Sequence, residues 1–320
     1  MTLTSEQKIK LYTNLVRCRK ADEFFVEGFA AGKVLAFWHS GQGQEAIGVG
    51  AVTFLREDDY IFFTHRGEGV NELIPRGLSM KKYIARIFGK EGSGPAFPEL
   101  GMMGMAGTVG GLFTIGAGLA FTAKQNGKGQ VVMQCLGDGD TGHGTFHTAL
   151  LMSRYWNLPT VFLCSNNAMA MWVPTNMIYP RENLADLVYG YDIPSAVVDG
   201  QDVEAVNYAS QAAVDRARAG GGPSFIECKT HRFRTHNEGM ADFCHTSYRD
   251  QSEIENWKQN RDPIKLYQEK LKKEGVLTDT DIARINSEIA LEVKEAEEYV
   301  AGLPVPSEVP DNLEKAIYVD

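Results

Sequence analysis

Short, almost wholly apolar runs alternate along this chain with longer amphipathic ones, as expected of strands buried on both faces and helices laid over them. The runs 130–136, 160–164, 195–198 and 224–229 read as strands. Apolar residues at helical spacing predict helices over 5–31, 112–124, 147–155 and 202–219, with a further helix directly after residue 167. The order strand, helix, strand over 130–164 predicts a parallel pair joined by a right-handed crossover, and 195–229 adds another turn of the same sheet. The fold class is therefore α/β, a mostly parallel sheet with helices on both faces. From Glu253 onward the pattern becomes strongly charged and predicts two solvent-facing helices, Lys265 to Glu274 and Thr280 to Tyr299, before a proline-rich tail that ends the helix and wraps a partner or its own body. Residues 1–250 are read as one α/β domain and 251–320 as its helical extension.

Two polar strings interrupt this pattern where chemistry is expected. Gly137-Asp138-Gly139-Asp140 follows the first strand and Asn166-Asn167 follows the second. Parallel pairing brings both to the carboxyl edge of the sheet, where open α/β sheets bind ligands. A carboxylate from Asp138, an amide oxygen from Asn167 and a backbone carbonyl just beyond would give Mg²⁺ three protein oxygens, leaving positions for phosphate and water. Gly137 and Gly139 let the backbone come close to a phosphate. Each string taken alone is equally the ordinary composition of a turn.

Beyond these strings, seven segments keep a common order: His39-Ser40-Gly41-Gln42-Gly43-Gln44-Glu45-Ala46, Thr64-His65-Arg66-Gly67 after Asp59-Tyr60, Gly107-Thr108-Val109-Gly110-Gly111, Trp156-Asn157-Leu158-Pro159, Val198-Asp199-Gly200-Gln201-Asp202-Val203, Tyr248-Arg249 and Arg261-Asp262-Pro263-Ile264. With Gly-Asp-Gly and Asn-Asn they resemble the alpha subunits of the thiamine-diphosphate-dependent 2-oxoacid dehydrogenases and acetoin dehydrogenases over nearly the whole chain. The resemblance implies a thiamine-diphosphate fold, Mg²⁺ held by Asp138, Asn167 and the Met169 carbonyl, and diphosphate contacts from Gly139, Asp140, His65 and Arg66. It places the backbone of Gly107 and Val109 against the aminopyrimidine, Met171 as the wedge that bends the cofactor, and His236 and His39 at the reacting centre. His236 is expected to act as a proton donor or oxyanion partner because imidazole titrates near working pH. A beta subunit would supply the activating glutamate in an α2β2 assembly, and a lipoyl acyltransferase would accept the acyl group.

Several departures bear on substrate. The basic segment ending in Ser-Met-His is replaced by Gly92-Ser93-Gly94-Pro95-Ala96-Phe97-Pro98, Glu68 stands for a histidine, Thr148 for a glutamate, Asn237 for the phosphorylated serine, and the loop from His236 to Tyr248 is long, bringing in Phe243 and His245. They keep open a thiamine-dependent lyase or ligase acting on another carbonyl compound or diketone without lipoyl transfer. A non-catalytic structural subunit is the third alternative.

Composition narrows the class without choosing within it. With 23% charged and 43% hydrophobic residues the 320-residue chain is an ordinary globular one, and its five cysteines form no Cys-x-x-Cys, so neither a disulfide framework nor a zinc site is expected. The polar start, Met1 to Lys8, lacks signal-peptide character and no apolar run reaches the ~20 residues of a membrane span, so the cytoplasm is the expected location. A net charge of −9 argues against nucleic acid and requires the diphosphate to be neutralised by placed cations, Arg66 first.

Overall fold

The computed structural model describes residues 2–34, 38–90, 96–105, 107–238 and 249–304. In chain order its elements are α1 (Ser5–Ala30), α2 (Glu45–Val52), β1 (Tyr60–Phe62), α3 (Val70–Leu73), α4 (Met80–Ile87), β2 (Met102–Gly104), α5 (Phe113–Asn126), β3 (Val132–Gly137), α6 (Gly144–Tyr155), β4 (Thr160–Asn166), β5 (Met169–Ala170), β6 (Val173–Pro174), α7 (Thr175–Ile178), α8 (Asp186–Tyr189), β7 (Ser195–Asp199), α9 (Val203–Arg218), β8 (Ser224–Lys229), α10 (Gln251–Asn260), α11 (Pro263–Lys273) and α12 (Asp279–Gly302). Six strands form one parallel sheet in the order β2-β1-β3-β4-β8-β7.

The apolar runs become strands because both sheet faces are covered. Alternate residues serve two cores: Val131, Met133, Val161, Leu163, Ile226 and Cys228 face one, Val132, Leu136, Phe162, Cys164 and Phe225 the other. The first core takes side chains from α1, α2, α9, α11 and α12, and the second from α5, α6 and α8. A buried side chain of this size contributes about 1.5–3 kcal/mol. That repeated gain offsets the ordering of the central strands.

Thr4 starts α1 with a capping box, its hydroxyl accepting from Gln7 N–H at 3.2 Å while the Gln7 side chain accepts from Thr4 N–H at 2.9 Å. Such a cap stabilises a helix by ~1 kcal/mol. In α2, Gly48 meets the backbone of Asn71 and Gly50 meets Val203 and Val206, so two glycines let α3 and α9 approach α2 closely.

Three expectations are corrected. The segment after Asn167 does not begin as a helix: it opens with the hairpin β5–β6, and its helical parts are the four-residue α7 and α8. The helices expected to face solvent each bury an apolar stripe, Tyr267 and Leu271 in α11 and Ile285, Ile289, Ala296 and Val300 in α12, all within the same core as α1. Charge on the outer face hid the inner one. The second strand also runs two residues further than its apolar run, so that Asn166 is its last member. Residues 91–95, the loop 239–248 with Phe243 and His245, and the tail from 305 lie outside the described residues.

Candidate active site

β3 and β4 are adjacent and in register from Val132↔Thr160 to Gly137↔Ser165, so Asp138 and Asn167 emerge side by side at one sheet edge. Asp138 is buried, and its carboxylate gathers the surrounding turn: Oδ1 accepts from Gly139 N–H at 2.8 Å, and Oδ2 from Met169 N–H at 2.9 Å and Thr175 Oγ1 at 3.3 Å. Burial raises its pKa above the usual carboxylate value, while Met169 N–H, Gly139 N–H and the charges of Arg232 and Arg66 oppose that shift. Asn167 is equally buried. Its Nδ2 donates to Gln44 Oε1 at 3.4 Å, and its Oδ1 has no hydrogen-bond partner among the described residues. A buried acceptor left unmatched costs about 1–3 kcal/mol, which a bound cation would recover.

The Asp140 side chain is held within the turn itself. Its carboxylate accepts from Gly137 N–H at 2.8 Å and from the Gly110 backbone, tying the loop 107–111 to the turn after β3. Gly110 has φ +80°, and a Cβ there would lie 2.2 Å from His143 Nδ1. Gly107 and Val109 stand exposed on the same loop.

The cations and imidazoles come from two other loops. Arg66, 8% exposed, donates through its guanidinium to the His236 carbonyl at 2.9 Å and to His236 Nδ1 at 3.0 Å. A guanidinium has no acceptor, so Nδ1 carries the lone pair and the His236 proton sits on Nε2. Burial, then the charge of Arg66, then His39 and Arg232 lower the His236 pKa to about 3. The titration near working pH expected of this imidazole is thus displaced far into acid. His236 is a neutral Nε2–H donor at pH 7. His65 is depressed likewise, first by burial and then by Arg66, and its Nε2 is buried without a hydrogen-bond partner among the described residues. His39, His65 and His236 bring ring nitrogens within 4.8 Å of one another, with His39 centred 4.8 Å from each of the other rings. Two buried guanidiniums beside this cluster favour an anion or a polarised oxygen there over a cation.

Met171 caps the β5–β6 hairpin in a left-handed conformation, φ 58°, with its side chain half-exposed and its carbonyl accepting from Arg232 at 2.9 Å. Arg232 is the residue that motif reading missed. It is 1% exposed, its charge acts on the Asp138 carboxyl, and its sequence signal was a basic residue three positions beyond a buried strand. Asp22 was missed as well. Buried in α1, it accepts from Trp38 Nε1, Ser40 Oγ and Gly41 N–H, and so fixes the loop that carries His39. Arg249 does the same for the other loop, donating to the carbonyls of Arg232 at 2.6 Å and Arg234 at 3.0 Å.

The dehydrogenase E1 component family model matches residues 14–307. The chain belongs to this family. It is 34% identical over 318 residues to the alpha subunit of acetoin:2,6-dichlorophenolindophenol oxidoreductase of Bacillus subtilis, covering 96% of this chain and 93% of that one. The corresponding subunit of Cupriavidus necator is 32% identical, covering 100% and 96%. The pyruvate dehydrogenase E1 component subunit alpha of Zymomonas mobilis is 31% identical, covering 95% and 86%. As an E1 alpha-type chain it is part of a thiamine-diphosphate-dependent dehydrogenase. The E1 residues described above fit that cofactor: an unmatched buried oxygen beside a buried carboxylate suits a hard cation, and two buried guanidiniums suit a diphosphate.

Proposed function

We propose that this chain is the alpha half of a cytoplasmic α2β2 enzyme that cleaves a small carbonyl compound next to its carbonyl group, acetoin or a 2-oxoacid, and passes the acyl unit to lipoyl on an acyltransferase. The observation that carries this reading is the juxtaposition of the buried Asp138 carboxylate, tied to Met169, with the unmatched Asn167 Oδ1. Asp138, Asn167 and the Met169 carbonyl would hold Mg²⁺, Arg66 and His65 the diphosphate with Gly139 close to it, Gly107 and Val109 the aminopyrimidine, and Met171 the thiazolium flank. Asp140 supports the site from behind, through the backbone. Bound there, thiamine diphosphate supplies a carbon nucleophile and an electron sink.

The chain's own residues orient and protonate. His236, neutral and fixed by Arg66, presents Nε2–H as a hydrogen-bond donor to a substrate oxygen as negative charge builds on it. His39, which accepts from Asn237 Nδ2 at 3.4 Å, is the second substrate contact. Met171, Trp172, Val173, Met177 and Ile178, all partly or largely exposed, follow directly on the cofactor turn. Apolar surface there supports a site closed by another chain, here a beta subunit carrying the activating glutamate. The four described cysteines are all free thiols, which suits a reducing compartment.

Co-expression with the beta subunit and assay by reduction of 2,6-dichlorophenolindophenol tests the reading. Acetoin, pyruvate, branched 2-oxoacids and cyclic diketones are compared, with acylation of a lipoyl domain as a second readout. Turnover that needs both chains and thiamine diphosphate is expected. Turnover by this chain alone would refute the shared site, and cleavage of a diketone substrate without lipoyl acylation would favour the lyase alternative.

A further inference from the structure

Glu227 is a carboxylate in the interior of β8, 0% exposed, on the sheet face that carries Phe225. Burying a carboxylate costs several kcal/mol, and an apolar side chain would fill this strand position without that cost. Its partners indicate another purpose. Oε1 accepts from Asn166 Nδ2 at 2.6 Å and lies 2.7 Å from Lys229 Nζ, while Oε2 accepts from Ala185 N–H at 2.8 Å. Asn166 relays the contact: its Oδ1 accepts from Ala168 N–H at 2.9 Å, and its carbonyl accepts from Thr230 N–H at 2.9 Å. Ala168 holds a left-handed conformation, φ 62°, that a non-glycine residue adopts only when its surroundings impose it. Its carbonyl accepts from Thr175 N–H at 2.9 Å, and the next amide, Met169 N–H, meets Asp138.

We infer that Glu227 is a positioning residue for the cofactor turn: through Asn166 it locks Ala168 in its left-handed conformation and so aims Asn167 and the Met169 carbonyl at the metal. Only a carboxylate can receive Asn166, Lys229 and Ala185 together, because an amide at this position turns a donor toward at least one of them. The inference rests on the reading of Asp138, Asn167 and Met169 as Mg²⁺ ligands.

The test uses the full chain with its beta partner, in the wild type and in Glu227→Gln, Asp138→Ala and the double variant Glu227→Gln/Asn166→Asp. Two quantities are read: amide hydrogen exchange at Ala168 and Met169 without ligand, and the Mg²⁺ concentration that half-saturates thiamine-diphosphate binding. Glu227→Gln should speed exchange at both amides and raise the Mg²⁺ requirement by about 10–100-fold, the usual effect of losing a residue that orients a metal ligand. The double variant should recover both, since Gln Nε2 can donate to one Asp oxygen while the other still receives Ala168 N–H. Unchanged exchange and Mg²⁺ requirement in Glu227→Gln, with binding lost in Asp138→Ala, would overturn this inference alone. Binding that survives Asp138→Ala would overturn the site reading instead. Should Glu227→Gln fail to fold, Asn166→Ser cuts the same path and gives the same comparison.

Discussion

His236 illustrates how a single imidazole is set by its neighbours. Its pKa is lowered to about 3 from an ordinary 6.5, so between those values the unfolded chain binds a proton that the folded chain refuses. Stability contributed by this group is therefore complete above pH 6.5 and is lost as pH falls toward 3. His231, lowered to about 4 by burial and by Arg249 and Arg232, acts in the same direction, and so does His65. Buried Glu72 and Asp22, raised to about 8 and about 6, act in the opposite direction, so the test is the difference between two proteins: in urea unfolding between pH 7 and 5, His236→Gln should lose less stability with acid than the wild type, by about 1 kcal/mol per pH unit, approaching the one-proton limit at the acid end. A slope unchanged by the substitution would mean that His236 titrates normally. The motif made this histidine visible; its protonation state was not legible, because that depends on Arg66, 170 residues away in sequence.

Gly48 in α2 and Gly107 in the loop before α5 separate packing from ligand approach. A Cβ on Gly48 of α2 would lie 2.4 Å from the Asn71 carbonyl oxygen, whereas one on Gly107 would meet nothing within 4 Å. Gly48→Ala should therefore cost about 1–3 kcal/mol of stability as an overpacked contact. Gly107→Ala, by contrast, should change it by no more than about 0.5 kcal/mol. Chemical denaturation of both variants checks this, and a stable Gly48→Ala chain would show that α2 and α3 can separate freely. Elements were legible where burial is two-sided: β3 and β4 are mostly apolar and could be located, though not bounded to the residue, from composition, and β8 was located despite its Ser224, Glu227 and Lys229. The β5–β6 hairpin was not, because two-residue strands carry no periodicity and the left-handed Ala168 and Met171 lack the usual glycine signal. In α12 acidic and basic residues outnumber the four buried ones, so the pattern reads as a solvated helix although one stripe joins the core.

At the scale of the molecule, a parallel sheet gathers residues distant in sequence at one edge. Asp138 comes from the end of β3, Asn167 from the end of β4, Arg232 from just beyond β8, and Arg66 from the loop after β1. The first two were legible because each string follows a recognisable strand. Arg232, Gln44 and Glu227 were not, since only the three-dimensional packing brings them to the turn that carries Asn167. Buried cations at one sheet edge of an acidic chain match a phosphate cofactor neutralised locally, and the exposed apolar residues beside them match a partner subunit. The most direct test is calorimetric titration of thiamine diphosphate into the chain with its beta subunit, with and without Mg²⁺, for the wild type and Asn167→Ala. Binding in the wild type should require Mg²⁺, and Asn167→Ala should weaken it by about 10–100-fold. Equal affinity in the two proteins, indifferent to Mg²⁺, would contradict the account.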